Sequence, residues 1–72
     1  MRSAFIDSAI RALPALEQAE SVEAWQGAAA RLRGLAASFG AIRLMALAAE
    51  AALAPPADAA ILGRLRRAVA RL

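Results

Sequence analysis

Neither cysteine nor histidine occurs anywhere in the 72 residues of this chain. Without cysteine there is no disulfide and no thiolate ligand to staple the fold, a composition compatible with a reducing cytoplasm. Without histidine as well, a Cys/His zinc site, a Cys/His nucleophile pair and a Ser/His/Asp triad are excluded by inventory, before any question of geometry arises. Most enzyme classes therefore fall away, and neither metal nor cofactor is expected. Long apolar runs are lacking too. Arg or Glu interrupts every candidate stretch well short of the roughly 20 residues that cross a bilayer, so no transmembrane segment is expected. In the opening Met1-Arg2-Ser3-Ala4-Phe5-Ile6-Asp7, Asp7 and then Arg11 break what would be the apolar region of a secretory signal. Cytoplasmic residence is the default expectation.

What the chain does have is alanine: 23 residues of it, within an apolar fraction of 61%. A core built on so small a side chain needs closely approaching backbones, and alanine is the strongest helix former, so helices rather than strands are expected. At this length there is room for one domain, residues 1–72, able to bury only about 60% of its unfolded surface. The formal charge of +3 is unevenly spread: residues 1–60 carry five Arg against six acids, whereas residues 61–72 carry four Arg and no acid. Arg64, Arg66, Arg67 and Arg71 suit phosphate contacts, but cations in a final helical turn also complement the helix dipole, by about 0.3–1 kcal/mol each.

Apolar periodicity divides the chain into four helices, over residues 3–19, 22–39, 41–53 and 58–71. In the first, Phe5, Ile6, Ala9, Ile10, Leu13 and Leu16 share one side. Pro14 interrupts it, and a kink is expected near Arg11 to Leu13, because an interior proline deletes one backbone hydrogen bond. Ser21 is the expected N-cap of the second helix, with Glu23 in its first turn. Its apolar stripe is Val22, Trp25, Ala29, Leu32, Ala36 and Phe39, and Gly40, tolerant of left-handed geometry, ends it. The third helix offers Ile42, Leu44, Met45, Leu47 and Ala48 to the core, with Arg43 and Glu50 facing water. Ala54-Pro55-Pro56-Ala57 then breaks the chain, and Asp58 opens a fourth helix carrying Ile61, Leu65, Val69 and Leu72. Short connections between amphipathic helices predict an all-α, compact antiparallel four-helix bundle.

The second helix has an unusual outer face. Gln26, Gly27, Ala30, Gly34 and Ala37 cluster opposite the core stripe, with Arg33 on the flank. Glycine inside a helix costs about 1 kcal/mol relative to alanine, so Gly27 and Gly34 need a reason. Two remain open from the residues alone: close approach of a partner molecule, or a small-residue helix-packing seam of the kind found in homodimers.

The segment Ala28-Ala29-Ala30-Arg31-Leu32-Arg33-Gly34-Leu35-Ala36-Ala37-Ser38-Phe39-Gly40-Ala41, followed by Arg43-Leu44 and Leu47, resembles the signature of histidine phosphotransfer (HPt) domains. That family's pattern reads approximately A-H-x-L-[KR]-G-[SA]-A-x-x-[LF]-G-A and continues into R-L-x-x-L. Leu32, Arg33, Gly34, Ala36, Phe39, Gly40 and Ala41 match position by position, and the stretch from Phe5 to Trp25 is similar to the family's first long helix and its turn. The resemblance thus covers essentially the whole chain. Two positions depart. Leu35 stands where the family often has Ser or Ala, and Ala30 stands where the family carries its phosphorylated histidine.

The resemblance implies a four-helix phosphorelay module of bacterial two-component signalling that docks on response-regulator receiver domains through Gln26, Gly27, Ala30, Arg33, Gly34 and Ala37. Arg33 would meet a phosphoryl group or acidic receiver residues, Gly34 would keep the surface bare for approaching loops, and Gln26 would donate a hydrogen bond to a docked loop. Phosphoryl relay needs an imidazole nitrogen with a free lone pair, which a methyl group cannot supply. The implied module is accordingly a pseudo-HPt that binds without accepting phosphate, through natural loss or an engineered His-to-Ala replacement at position 30. Two other readings stand beside it: a small helical dimerisation or scaffold domain using the Gly27/Ala30/Gly34/Ala37 face, and, ranked last for want of a reading helix, nucleic-acid binding through the C-terminal arginines.

Overall fold

Helix ends in this chain are set by residues that supply or withhold a backbone hydrogen bond. The computed structural model describes residues 4–72, which form α1 (Ala4–Glu17), α2 (Val22–Ser38), α3 (Ile42–Leu53) and α4 (Ala59–Ala70), with no strand among them. Each observed helix lies within one or two residues of its expected bounds. The expected start of the first helix at Ser3 lies outside the described residues. At the head of α2 the Ser21 hydroxyl accepts the Ala24 N–H at 3.0 Å. At the head of α4 one Asp58 carboxylate oxygen accepts the N–H groups of Ala60 and Ile61, at 3.0 and 3.2 Å. Both side chains answer donors that the first helical turn leaves without partners.

The C-terminus of α2 is closed by backbone geometry. Phe39 is the C-cap and Gly40 follows at φ +70°. The Gly40 N–H then reaches the Ala37 carbonyl at 3.2 Å and the Ala41 N–H the Ala36 carbonyl at 2.9 Å. This paired arrangement reverses the chain within three residues and starts α3 directly, and it requires a left-handed residue that glycine provides without steric cost.

Pro14 does not break α1. The helix is continuous from Ala4 to Glu17, and the Pro14 carbonyl accepts the Gln18 N–H at 2.9 Å. The exposed position of Pro14 puts its ring on the solvent side, so only the hydrogen bond to the Ile10 carbonyl is forfeited.

Each helix packs against its neighbour in sequence, α4 returns against α1, and the diagonal pairs do not touch. The result is a closed antiparallel four-helix bundle measuring 34 × 19 × 19 Å. The tightest pairing is between α2 and α3, where Ala29, Ala36, Ala48 and Ala51 are all fully buried and let the two backbones approach closely. Larger side chains fill the remainder: Leu16 from α1, Trp25 and Leu32 from α2, Leu44 and Leu47 from α3, and Ile61, Leu62, Leu65 and Val69 from α4. Among the described residues no charged or polar residue is buried. No helix among the described residues is long and apolar enough to cross a membrane.

Four positions expected in the core are outside it. Val22 is 56% exposed, Phe39 57%, Ile42 74% and Leu72 41%. All four stand at helix ends, where the wheel projection loses its meaning. Phe39 has left helical geometry (φ −107°, ψ 7°) and stacks instead on Phe5, ring centroids 4.6 Å apart. Leu72 follows the C-cap Arg71, and Val22 and Ile42 are the first residues of their helices. Conversely, Leu62 is only 6% exposed and belongs to the core, though the spacing of Ile61, Leu65 and Val69 passes over it.

One core side chain is polar at its tip. The Trp25 indole N–H donates to the Ala51 carbonyl at 2.6 Å, fully inside the bundle. In a continuing helix that carbonyl would accept the N–H of residue 55, which is proline and has none. The Ala54 N–H, at 3.1 Å, supplies a second donor. Trp25→Phe is expected to cost about 0.5–1.5 kcal/mol, the net worth of one hydrogen bond, because the Ala54 N–H still serves the carbonyl. Trp25→Ala is expected to cost about 3–5 kcal/mol, against a total stability of roughly 4–11 kcal/mol for a domain of this size. Thermal denaturation followed by circular dichroism measures both, and melting temperatures unchanged from the parent would contradict the assignment. Since this is the chain's single tryptophan, native fluorescence should also be blue-shifted and protected from iodide quenching.

Candidate functional site: the outer face of helix two

Gly34 lies nine residues beyond Trp25, so at 100° per residue the two point about 180° apart. Trp25, Ala29, Leu32 and Ala36 are completely buried, while Gln26, Gly27, Ala30, Arg33, Gly34 and Ala37 are all exposed. The six candidate residues therefore share the solvent side of α2, and the structure brings every one of them to the same surface. Ala30 sits in the middle, one turn after Gln26 and one turn before Gly34.

The two glycines have no role in the packing of this chain. A Cβ built on Gly27 or on Gly34 would meet nothing within 4 Å, and neither has the positive φ that makes glycine necessary. The Gly34 carbonyl additionally accepts the Ser38 hydroxyl at 3.0 Å, a local back-bond that leaves the face itself bare. An intramolecular packing notch at Gly34 is thus excluded, and the glycine penalty is borne by a position where the isolated fold would be served as well by alanine.

Arginines frame this bare strip on both sides. Arg33 is exposed on the flank away from α1 and makes no ion pair among the described residues. On the other flank a shallow groove between α1 and α2 is lined by Ser8, Arg11, Ala12, Ala28, Arg31 and Leu35. Arg11 and Arg31 were not singled out by the sequence reading. The signal was present, because Arg31 falls on the α1 flank of the wheel, but only the pairing of α1 with α2 puts Arg11 across from it. Three guanidiniums around a patch of glycine and alanine make a surface that admits close approach and favours an anionic visitor.

The motif residues divide by what the fold asks of them. Leu32, Ala36, Leu44 and Leu47 are buried, and Gly40 carries the left-handed turn; these are explained by packing and capping. Arg33 is exposed with no ion pair among the described residues, and Gly34 is exposed with open space where a Cβ would stand. Chemically the strip contains no nucleophile, since a methyl group occupies its centre at Ala30. Among the described residues no group of three acidic side chains is gathered where it could hold a metal ion.

The C-terminal arginines do not form a single patch. Arg66 is turned toward α1, where its Nε donates to a Glu17 carboxylate oxygen at 2.8 Å and a second guanidinium nitrogen pairs with the same oxygen. Arg64, Arg67 and Arg71 lie on the opposite flank of α4, facing α3, and Arg64 pairs with Glu50 at 3.1 Å.

Because Gly27 and Gly34 sit at ordinary helical angles in open space, Gly27→Ala and Gly34→Ala are each expected to stabilise the isolated domain, by about 0.5–1 kcal/mol. Urea denaturation of the single variants tests this, and a loss of stability in either would mean that the glycine serves the fold after all. Comparison with protein-family models, with curated proteins and with solved structures finds no match to this chain.

Proposed function

We propose that this chain is an HPt-like docking module that binds the receiver domain of a response regulator on the outer face of α2 and takes no phosphate. The observation that carries the reading is Gly34, an exposed mid-helix glycine with empty space beyond its Cα, adjacent to Arg33 and one turn from Ala30. The fold itself gains nothing from glycine there, and the open space gives another molecule room to approach the helix. The HPt-like sequence pattern, the antiparallel four-helix architecture and the exposure of all six face residues support the same reading. In it, the receiver brings the Mg²⁺ and the acidic residues. Arg33, with Arg11 and Arg31, meets that acidic rim, and the small residues let its loops settle against the helix backbone. Cytoplasmic residence belongs to the same proposal.

The module then acts by occupancy. A receiver held against α2 finds a methyl group where a phosphoryl acceptor would stand, so binding and phosphoryl transfer are uncoupled at one position. A homodimer built on the Gly27/Ala30/Gly34/Ala37 strip would use the same bare surface, and the open space at both glycines serves either occupant.

The decisive variant is Ala30→His. Incubated with phosphorylated receivers from the same organism, it is expected to become labelled, whereas the parent chain binds a receiver and stays unlabelled. A variant that folds and docks but never acquires label would show that the site is misassigned. Sedimentation velocity over a concentration series separates the dimer: self-association abolished by Gly34→Leu, together with no receiver binding, would replace the docking reading with the dimerisation one.

A further inference from the structure

The flank of α4 that faces α3 carries most of the basic charge unused by the α2 face. Arg67 and Arg71, one helical turn apart, form one wall of an open groove between α3 and α4, and Arg43 stands on the other. None of the three makes an ion pair among the described residues. The floor is apolar and low: Ala46, Leu47 and Ala68. At one end the Glu50–Arg64 pair closes the groove. At the other, Ile42 and Leu72 leave large apolar side chains in solvent, 74% and 41% exposed.

We infer that this α3/α4 groove is a docking site for an acidic amphipathic helix of a partner protein, distinct from the α2 face and independent of the reading given for it. Three features select that occupant. The groove follows α3 from Ala41 to Glu50, a length of about 14 Å, or roughly two and a half turns of an incoming helix. Alanines on the floor allow close backbone approach, while the exposed Ile42 and Leu72 offer contacts to an apolar ridge. Arg67 and Arg71, four residues apart, match carboxylates spaced four apart along the flank of a helix, with Arg43 opposite to receive acids from the other flank.

Other occupants fit less well. A nucleic-acid strand would find no aromatic side chain to stack on in this groove and an apolar floor under its charges. A bilayer is flat where this surface is concave. A second copy of the chain fits less well, because no two of its six acids, Asp7, Glu17, Glu20, Glu23, Glu50 and Asp58, stand four residues apart in sequence.

The test uses the full chain and a fluorescein-labelled synthetic peptide of about fourteen residues, with a leucine ridge flanked by glutamates four apart. Fluorescence anisotropy is expected to show saturable binding that weakens with added salt. The double variant Arg67→Gln with Arg71→Gln should weaken it by about tenfold or more. Arg66→Gln, which removes a charge from the opposite flank of the same helix, should leave it within about twofold. Circular dichroism establishes that each variant retains its helicity. A peptide of identical composition with its leucines dispersed should bind at least about tenfold more weakly. The inference is overturned if the dispersed peptide binds equally well, if Arg66→Gln weakens binding as much as the double variant does, or if no saturable binding occurs. It is equally overturned if a DNA duplex or phosphatidylglycerol vesicles bind the groove more tightly than the peptide, or if self-association of the chain occupies it.

Discussion

The hydrogen bond from the Trp25 indole to the Ala51 carbonyl joins the two most intimately packed helices at a point where the usual helical donor four residues on is missing. Pro55 ends α3 and withholds the N–H that Ala51 would otherwise receive. The carbonyl faces the interior, the Ala54 N–H is its remaining backbone donor, and the Trp25 indole N–H reaches it from α2 as a second. That contact ties α2 to α3 at one axial position, within an interface packed along both helices. In that interface Ala29 and Ala36 come to rest against α3 while the opposite side of α2 turns to solvent. The candidate docking face is in this sense a consequence of the core: the same rotation that buries Trp25 exposes Ala30 and Gly34.

A bundle with no buried charge among its described residues places their polar specificity outside. The exterior is then sorted by helix pairing into surfaces of different character. The outer face of α2 is bare and framed by guanidiniums. The α3/α4 flank is a groove with an apolar floor. The α1/α4 flank is crossed by the Glu17–Arg66 pair, an exposed interaction of the kind that contributes at most about 1 kcal/mol. What differs between these surfaces is charge left without an intramolecular partner, and it is such charge, not charge in total, that is free to recognise another molecule.

Much of this was legible beforehand. Helix number and helix order followed from apolar spacing, and Ser21, Gly40 and Asp58 marked ends because their chemistry acts within four residues of itself. The exposed strip on α2 was legible for the same reason: once Trp25 and Leu32 point inward, the angular positions of Ala30 and Gly34 follow from helix geometry alone. Legibility failed at helix ends and across helices. Phe39 lies on the apolar stripe of the wheel but outside the helix, so its ring finds Phe5 rather than the core. Leu62 falls outside a single-stripe reading because α4 is covered by two neighbours, and the buried arc is wider than one row of side chains.

The arginines divide the two kinds of knowledge most cleanly. By itself the sequence determined that the chain has no nucleophilic imidazole or thiol, that it forms four helices, and that basic charge accumulates toward its C-terminus. Only the tertiary structure decided that Arg66 is committed to Glu17 while Arg67 and Arg71 stand free beside Arg43, and that Arg11 joins Arg31 at the edge of the α2 face. The physical reason is range. Helix formation, capping and the phase of an amphipathic stripe depend on interactions within one or two turns, whereas the partner of a long surface cation is chosen by which helix packs beside it, and that choice is made by the core.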